Sequence, residues 1–356
     1  MKEYTLTKTH EKGFKLIQKY NDFTPTNKKK LMDVKCRIDQ VSNREWEISK
    51  KNVNDYEYIY TSSKTNKNIC GIVPVSRSYF KLYEILKDTI GFNSEGPVAC
   101  IAEGPGGFIH CLNDTTENNI YAITLISKTN KNVPFWNQQI INNKKNNLCY
   151  GLDDTGDIYN LLNAEHFIKG IDGKCRLITA DGGFDYSVNY NSQEELSYRL
   201  LYSEIYIALN IQDTQGNFII KVFDLFNYKT IQLLYILYLC YEELSFHKPL
   251  TSRLSNSEKY IICKGFQGCT ESIRELLIQY YNNPDDFLIY IPQTFIKEIM
   301  KYNDLFITKQ IQTIENIIQN IKKENKNIPT QQQINYAKEW CKTYDLPLNK
   351  NCIYNA

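Results

Sequence analysis

The sequence of 356 residues has few of the features that mark several common protein classes. It contains only four histidines, and its eleven cysteines include no C-x-x-C pair, so we do not expect a metal site. An odd number of scattered cysteines is typical of free, buried thiols in a reducing compartment. The G-x-G-x-x-G spacing of dinucleotide-binding dehydrogenases is also missing, which argues against that class of nucleotide-binding protein.

Long apolar runs and a strong net charge are absent as well. The most apolar run, Ile231–Tyr241, is too short to span a bilayer and favours a buried helix. The charged residues 1–14 are not typical of a signal peptide. We therefore expect an intracellular protein of the nucleus or cytoplasm that does not bind membranes. Because the net charge is only +2, any affinity for nucleic acid has to come from a local patch.

Residues 1–70 are the most basic part of the chain, with 15 Lys and Arg against 9 Asp and Glu. The excess includes the runs Lys28–Lys30 and Lys50–Lys51 and the pair Lys64 and Lys67. A solvated face explains such runs as well as a surface that faces RNA does. We predict a basic N-terminal extension over residues 1–70.

One stretch, Pro97–Leu112 (PVACIAEGPGGFIHCL), predicts a buried strand that turns directly into a helix. Glycines in such a turn let a ligand approach the backbone, and the start of the helix offers free N–H groups. Packing of a strand on a helix would explain the same glycines.

Strands and helices alternate through the next part of the chain. The sequence predicts further strands over residues 119–125, 176–180, 217–223 and 259–264, and helices over residues 76–88, 194–209 and 231–243. This alternation predicts an α/β sheet with helices on both faces. Ligands of such sheets bind at the carboxyl ends of the strands, where Glu103 and Asp181 are expected. We assign this domain to residues 71–270.

The remaining residues, 271–356, contain no further strong strand pattern. Isoleucines and a leucine recur there at helical spacing (Leu305, Ile311, Ile314, Ile318 and Ile321) and are followed by the polar residues 322–333. We predict a helical C-terminal extension that serves packing.

Four charged residues interrupt the apolar pattern of the α/β domain. Lys221 lies inside an apolar strand, where burying a lysine is costly without a partner. Asp181 ends a strand at a glycine pair, Lys81 lies among aromatic residues of a helix, and Glu258 directly precedes the last strand. Each of them alone has an ordinary structural explanation, but four in one sheet suggest a site.

The array Lys81, Asp181, Lys221 and Glu258 resembles the K-D-K-E tetrad of FtsJ-like (RrmJ-like) ribose 2′-O-methyltransferases. The surrounding segments, SRSYFKL, EGPGGF, ADGGF, FIIKVFDLF and KPLTSRLSNSEKYIICKGF, are similar to those of cap-specific mRNA (nucleoside-2′-O-)methyltransferases. The resemblance covers residues 71–270 and does not extend to either extension.

The resemblance implies a Rossmann-like methyltransferase sheet that binds S-adenosylmethionine over the glycine turn. By the same resemblance, the residues expected at the cofactor are Glu103, Gly104, Pro105, Gly106, Gly107, Phe108, Thr124, Leu125, Asp157 and Asp181. The second strand ends in Thr124 and Leu125 where the wider family often has an acidic residue. Cys100 stands where many relatives have an aspartate, and Glu103 is a candidate to replace it.

The chemistry of ribose methylation accounts for these residue types. A ribose hydroxyl is a poor nucleophile, so an enzyme has to help remove its proton and align it with the methyl group. Lys221, desolvated and close to Lys81, is expected to have a lowered pKa and to act as the base or to steer the hydroxyl. Asp181 and Glu258 would orient the two ammonium groups.

The expected substrate is RNA, most specifically the 5′ end of capped mRNA, with other capping enzymes as candidate partners. Arg77 and Arg253 flank the tetrad in sequence and suit the phosphates of a short single strand. The alternatives are a methyltransferase of ribosomal or transfer RNA, and a non-catalytic RNA-binding subunit that keeps the fold.

Overall fold

The computed structural model describes residues 3–6, 14–20, 23–62, 65–92, 95–127, 129–130, 132–183, 192–321 and 329–354. Its strands are β1 (Glu3–Thr5), β2 (Val98–Ile101), β3 (Ile120–Ile123), β4 (Asn146–Cys149), β5 (Cys175–Ala180), β6 (Gln212–Val222), β7 (Tyr241–His247) and β8 (Lys259–Phe266). Its α-helices are α1 (Lys28–Cys36), α2 (Asn43–Val53), α3 (Ser78–Ile85), α4 (Gly107–Thr115), α5 (Gln138–Ile141), α6 (Leu161–Gly170), α7 (Gln193–Ile211), α8 (Tyr228–Cys240), α9 (Glu271–Gln279), α10 (Gln293–Ile321) and α11 (Gln331–Thr343).

The described strands form one sheet in the order β1-β7-β8-β6-β5-β2-β3-β4. Strands β2 to β6 are parallel, whereas β8, β7 and β1 pair antiparallel at one side. The chain order reverses between β2 and β5. The connections that follow two such strands leave toward opposite faces of the sheet, and a crevice remains at the carboxyl ends of the strands. Glu103 and Asp181 follow these two strands, so the predicted α/β architecture is confirmed and both residues lie at the crevice.

Buried side chains cover both faces of the sheet. One core contains Ala99, Ile101, Ile178 and Ile220 together with α7 and α8, and the other contains Val98, Cys100 and Ile219 together with α3 and α4. The alternation of neighbouring residues between the two cores is the period-two pattern of a strand buried on both faces. The eleven cysteines are free and most of them are buried, as predicted.

Both extensions pack against the sheet domain and against each other. β1 pairs with β7 at the sheet edge, Cys70 forms an isolated bridge with Leu348, and α10 provides the helix predicted over the C-terminal isoleucines. A small core joins α1 to α10 through Leu31, Val34, Phe226, Ile307, Ile311 and Ile314. The boundaries at residues 70 and 270 stay a prediction. Lys64 and most of the polar segment 322–333 lie outside the described residues.

The prediction was wrong at the end of α8. The helix ends at Cys240, and residues 241–243 belong to β7. The apolar pattern of α8 runs into Tyr241 without a glycine or proline to mark its end, so the helix-to-strand change left no local signal. Short β1 and β4 were also not predicted. None of the described helices is long and apolar enough to cross a membrane.

Candidate active site

The four predicted tetrad residues meet at the carboxyl end of the central strands as two ion pairs. The Nζ atom of Lys81 lies 2.7 Å from Oε1 of Glu258. The Nζ atom of Lys221 lies 3.1 Å from Oδ1 of Asp181 and donates a hydrogen bond of 2.7 Å to the Asp181 carbonyl. All four side chains are largely buried, with exposed fractions between 11% and 16%.

The sheet register explains why these residues converge. Ala180 pairs with Ile220 across β5 and β6, so Asp181 emerges beside Lys221. Lys221 pairs with Tyr260 across β6 and β8, and Glu258 stands just before β8 on the same side. Residues far apart in the chain are therefore held in place by the hydrogen-bonding ladder of three adjacent strands.

The pKa of Lys221 is shifted in the direction opposite to the one that we expected from the sequence. Burial alone would lower the pKa of Lys221, but the carboxylates of Asp181 and Glu258 and the nearby Glu204 outweigh it and raise that pKa above its ordinary value. We expected a lowered pKa for Lys221 from its burial and from the nearby charge of Lys81, without the effect of these carboxylates. Burial would also raise the pKa of Glu258, but Lys81, Lys221 and Lys248 hold it well below the usual range.

Several residues that support the tetrad were missed. The hydroxyl of Tyr260 donates to Oδ1 of Asp181 over 2.9 Å, and that of Ser252 donates to Oε1 of Glu258 over 2.8 Å. The ammonium of Lys248 donates to the carbonyls of Asn256 (3.0 Å) and Glu258, and burial lowers its pKa to about 7. Ser252 and Lys248 lie in the segment KPLTSRLSNSEKY, which is one of the segments that carry the family resemblance, so this resemblance could have pointed to them.

Glu204 is a further ionisable residue at this site, and it comes from α7. It is 2% exposed, receives a hydrogen bond from the Gly182 amide and faces both Lys221 and Asp181, and burial raises its pKa to about 8. Together with Lys221 it lines a small pocket that Glu194 and Asp224 also border. Its position in the apolar run LLYSEIYIALNI was the signal that could have revealed it.

A cleft of about 1400 Å³ opens beside the tetrad. Its lining includes the following predicted residues: Asp181, Lys221, Glu258, Glu103, Gly104, Pro105, Phe108, Thr124, Leu125 and Asp157. Lys81 does not line the cleft, and its ion pair with Glu258 connects it to the site. The structure thus joins the glycine turn and the charged residues in one continuous surface.

The glycine turn is held mainly by internal packing. A Cβ at Gly104 would lie 2.9 Å from the Pro134 carbonyl and 3.1 Å from Oγ1 of Thr124, and the Gly104 amide donates to that Oγ1 over 3.0 Å. Gly106 has a φ of 107°, and a Cβ there would contact Ile140 at 2.7 Å. The missing side chains therefore make room for the segment after β3, which is one of the two roles that the sequence allowed, and Gly104 also lines the cleft.

The residues of the turn nevertheless fit an amino-acid ligand such as the methionine portion of S-adenosylmethionine. Oε1 of Glu103 accepts from Oγ1 of Thr179 over 2.5 Å, while its Oε2 is buried and has no hydrogen-bond partner in the described part of the chain. Burial raises the pKa of Glu103 well above its usual range. A ligand ammonium beside Oε2 would lower this pKa and pair with the resulting carboxylate. Asp157 lines the same cleft, and its contact with the nucleoside stays a prediction.

Arg77 and Arg253 are engaged within the protein. Arg253 forms a bidentate ion pair with the fully buried Glu57: its Nε donates to Oε2 over 2.9 Å and its Nη2 to Oε1 over 2.7 Å. Nη1 of Arg77 lies 3.3 Å from the same carboxylate, and its guanidinium donates to the carbonyls of Tyr60 and Thr251. Neither arginine lines the cleft, so their role as phosphate ligands stays a prediction.

The reversed strand order, the tetrad and the glycine turn define an α/β enzyme of the nucleoside-binding class. The FtsJ-like methyltransferase family model matches residues 74–266, which is more than half of the chain. The chain belongs to the FtsJ-like methyltransferase family, and the predicted resemblance is confirmed. Members of this family use S-adenosylmethionine as the methyl donor, which confirms the predicted cofactor.

Individual relatives match a shorter region. The chain is 36% identical over 169 residues to cap-specific mRNA (nucleoside-2′-O-)-methyltransferase 1 of Mus musculus, covering 44% of this chain and 20% of that protein. It is 35% identical over 183 residues to methyltransferase 1A of the same description from Caenorhabditis briggsae, covering 45% and 21%. The inactive relative 1B of Caenorhabditis briggsae matches at 32% over 183 residues, covering 45% and 22%. The chain therefore matches only about a fifth of the length of each of these relatives.

Among solved structures, a putative ribosomal RNA methyltransferase from Plasmodium falciparum matches with a TM-score of 0.39 and 22% sequence identity. The match covers 54% of this chain and 98% of that one.

Proposed function

We propose that this chain transfers a methyl group from S-adenosylmethionine to the ribose 2′-hydroxyl of the first transcribed nucleotide of capped RNA. The observation that carries the proposal is the shared cleft: Asp181, Lys221 and Glu258 line it together with Gly104 and Thr124 of the glycine turn. A methyl donor over the turn and a ribose beside the tetrad would then occupy one connected space.

The relatives support the cap as the recognised feature, because cap-specific enzymes are named among the matches. The match to an inactive relative means that overall similarity alone does not decide activity. The two intact ion pairs, Lys81 with Glu258 and Lys221 with Asp181, favour an active enzyme, because a purely structural site has no need for four buried charges.

Lys221 is the residue that we expect to act on the hydroxyl. An ammonium has three donors, and Lys221 directs two of them to the carbonyl and the carboxylate of Asp181, which leaves one for the substrate. Bound S-adenosylmethionine supplies an electrophilic methyl group on a positively charged sulfur. A like charge lowers the pKa of a lysine, so Lys221 would move toward the neutral form that can accept the hydroxyl proton.

The test is methyl transfer from labelled S-adenosylmethionine to a short RNA with and without a methylguanosine cap. We expect transfer to the capped RNA only, and a loss of roughly 100-fold or more in Lys221→Ala, because that variant cannot bind or deprotonate the hydroxyl. Lys264→Ala is the matched control, since Lys264 pairs with Glu243 near the far end of β8 and does not line the cleft. Retained binding of S-adenosylmethionine by Lys221→Ala would show that the fold is intact.

The other outcomes separate the alternatives. Equal transfer to capped and uncapped RNA would contradict the cap-specific proposal and favour a ribosomal or transfer RNA enzyme. Binding of RNA without transfer by the wild-type protein would favour a non-catalytic subunit. Wild-type turnover by Lys221→Ala would exclude the role proposed for Lys221.

A further inference from the structure

The cleft has a second wall that the family match does not include. Ten described residues outside residues 74–266 line it: Lys35, Ile38, Asp39, Val41, Asn43, Trp46, Glu47 and Lys50 from the α1–α2 region, and Gln310 and Ile314 from α10. We call this set the N-terminal wall. It is continuous with the surface that carries the tetrad, so a strand of RNA bound for methylation would meet it.

The charges of the N-terminal wall do not suit a phosphate. Its two lysines are matched by Asp39 and Glu47, so its formal charge is zero. Nζ of Lys35 lies 2.9 Å from Oδ2 of the buried Asp224, and Lys50 forms an ion pair with Glu47. Phosphate binding needs an excess of free cations, which this wall lacks in the part of the chain that the structure describes.

The apolar members of the wall suit the flat face of a nucleobase. Trp46 is only partly buried: it packs against the small core between α1 and α10 and also lines the cleft. The start of α2 is capped, because the Glu45 amide donates to Oγ of Ser42 over 3.3 Å. An aromatic ring that packs on a core and lines a cleft offers a surface on which a base can stack.

We propose that Trp46 is a stacking platform for one base of the single-stranded RNA in the cleft. The proposal rests on the proposed function for the presence of RNA, but not on catalysis. It assigns to the N-terminal extension a direct part in substrate binding through an aromatic ring, whereas the sequence suggested contacts through lysines.

Tryptophan fluorescence can report this contact selectively. The chain has three tryptophans, and the other two, Trp136 and Trp340, are only 4% and 2% exposed. Titration of the full chain with a short single-stranded RNA should quench the fluorescence of Trp46, and Trp46→Phe should abolish most of the quenching. Anisotropy of a labelled RNA should show that Trp46→Phe still binds, within about threefold of wild type, because phenylalanine also stacks.

Trp46→Ala should weaken RNA binding by roughly 5- to 150-fold, the range expected for loss of one stacked base. Arg44→Ala is the matched control: Arg44 is exposed on the same helix and does not line the cleft. A thermal melt of each variant shows whether it is folded, and Trp46→Phe decides the question if Trp46→Ala is not.

Quenching by RNA together with a selective loss of affinity in Trp46→Ala would support the platform. Absence of quenching in a wild-type protein that binds RNA by anisotropy would overturn it. An equal loss of affinity in Arg44→Ala would also overturn it, because charge would then explain the binding. Quenching without methyl transfer would leave the platform standing while the proposed function fails. Normal methyl transfer with a wild-type KM in Trp46→Ala would overturn the platform and leave the proposed function standing.

Discussion

Glu204 shows how a single buried residue can set the chemistry of its neighbours. Its carboxyl accepts a hydrogen bond from the Gly182 amide and faces Lys221. It is one of the groups that raise the pKa of that lysine. The tetrad therefore has an additional carboxyl group from a helix, beside those that the strand ends provide.

Replacing Glu204 by Gln should shift the pH dependence of methyl transfer. The change keeps the shape of the side chain and removes the negative charge that Glu204 carries above its pKa of about 8, so the pKa of Lys221 should fall. We expect the rising limb of the pH–rate profile to move to lower pH by roughly one unit. Glu195→Gln, an exposed change on the same helix, is the control. An unchanged profile in Glu204→Gln would mean that Glu204 is not coupled to Lys221.

The same substitution should change stability in a pH-dependent way. Because the pKa of Glu204 in the folded chain is raised to about 8, its contribution to stability is present below its unfolded pKa and is lost as the pH rises toward 8. Glu204→Gln should therefore gain stability relative to wild type between pH 5 and pH 8, by an amount on the order of a few kcal/mol. Urea unfolding at both pH values measures this difference.

The turn around Glu57 is the element that connects the N-terminal extension to the loop of Glu258. Glu57 lies in a single turn of 3₁₀ helix (Glu57–Ile59) and pairs with Arg77 and Arg253. Burial would raise its pKa, but these two arginines hold it below its ordinary value. The turn therefore fixes the residues that precede Glu258.

Glu57→Ala should destabilise the protein by about 3–5 kcal/mol, because it leaves two largely buried arginines without their carboxylate. Glu117→Ala is the control, since Glu117 is 94% exposed in its pair with Lys145 and should matter by less than about 1 kcal/mol. The measurement is urea unfolding at pH 7. The stability lost in Glu57→Ala relative to wild type should become smaller as the pH falls through the folded pKa of Glu57, because protonation of Glu57 in the wild type removes its ion pairs with the two arginines. Equal stability of the two variants would contradict this role.

At the level of elements, the sequence was informative where one pattern held over a whole segment. The short apolar runs of β2, β5 and β8 and the helical spacing in α7 predicted these elements within a few residues. β6 and α10 begin earlier than their patterns indicated, at Gln212 and Gln293. The pattern failed at Tyr241, where an apolar helix changes directly into a strand. Four charged residues in an apolar context predicted the tetrad, but pairwise partners such as Tyr260 and Ser252 depend on register, which spacing alone does not give.

The whole molecule is held together by contacts between parts that the sequence suggested were separate. The core around Leu31 joins α1 to α10, and the N-terminal wall of the cleft is built on that core. The functional meaning of the basic N-terminal residues could not be predicted, because Lys35 and Lys50 are used in pairs with Asp224 and Glu47. Charge counting cannot distinguish paired from free lysines.

Leu31→Ala tests whether this contact stabilises the whole chain. Leu31 is fully buried, so the substitution should cost about 2–5 kcal/mol, and we expect one cooperative transition that moves as a unit. Lys29→Ala, an exposed change on the same helix, should leave the transition within about 0.5 kcal/mol. Circular dichroism during thermal unfolding makes the comparison. A separate early transition in Leu31→Ala would mean that the extension folds independently of the sheet.

The central claim is that the cleft methylates a ribose hydroxyl at the 5′ end of capped RNA. The most direct measurement is mass spectrometry of the nucleosides released from a capped RNA after incubation with the protein and S-adenosylmethionine. We predict one added methyl group, on the 2′-oxygen of the first transcribed nucleotide, which is absent with Lys221→Ala. A methyl group on a base, on an internal ribose, or equally abundant with Lys221→Ala would contradict it.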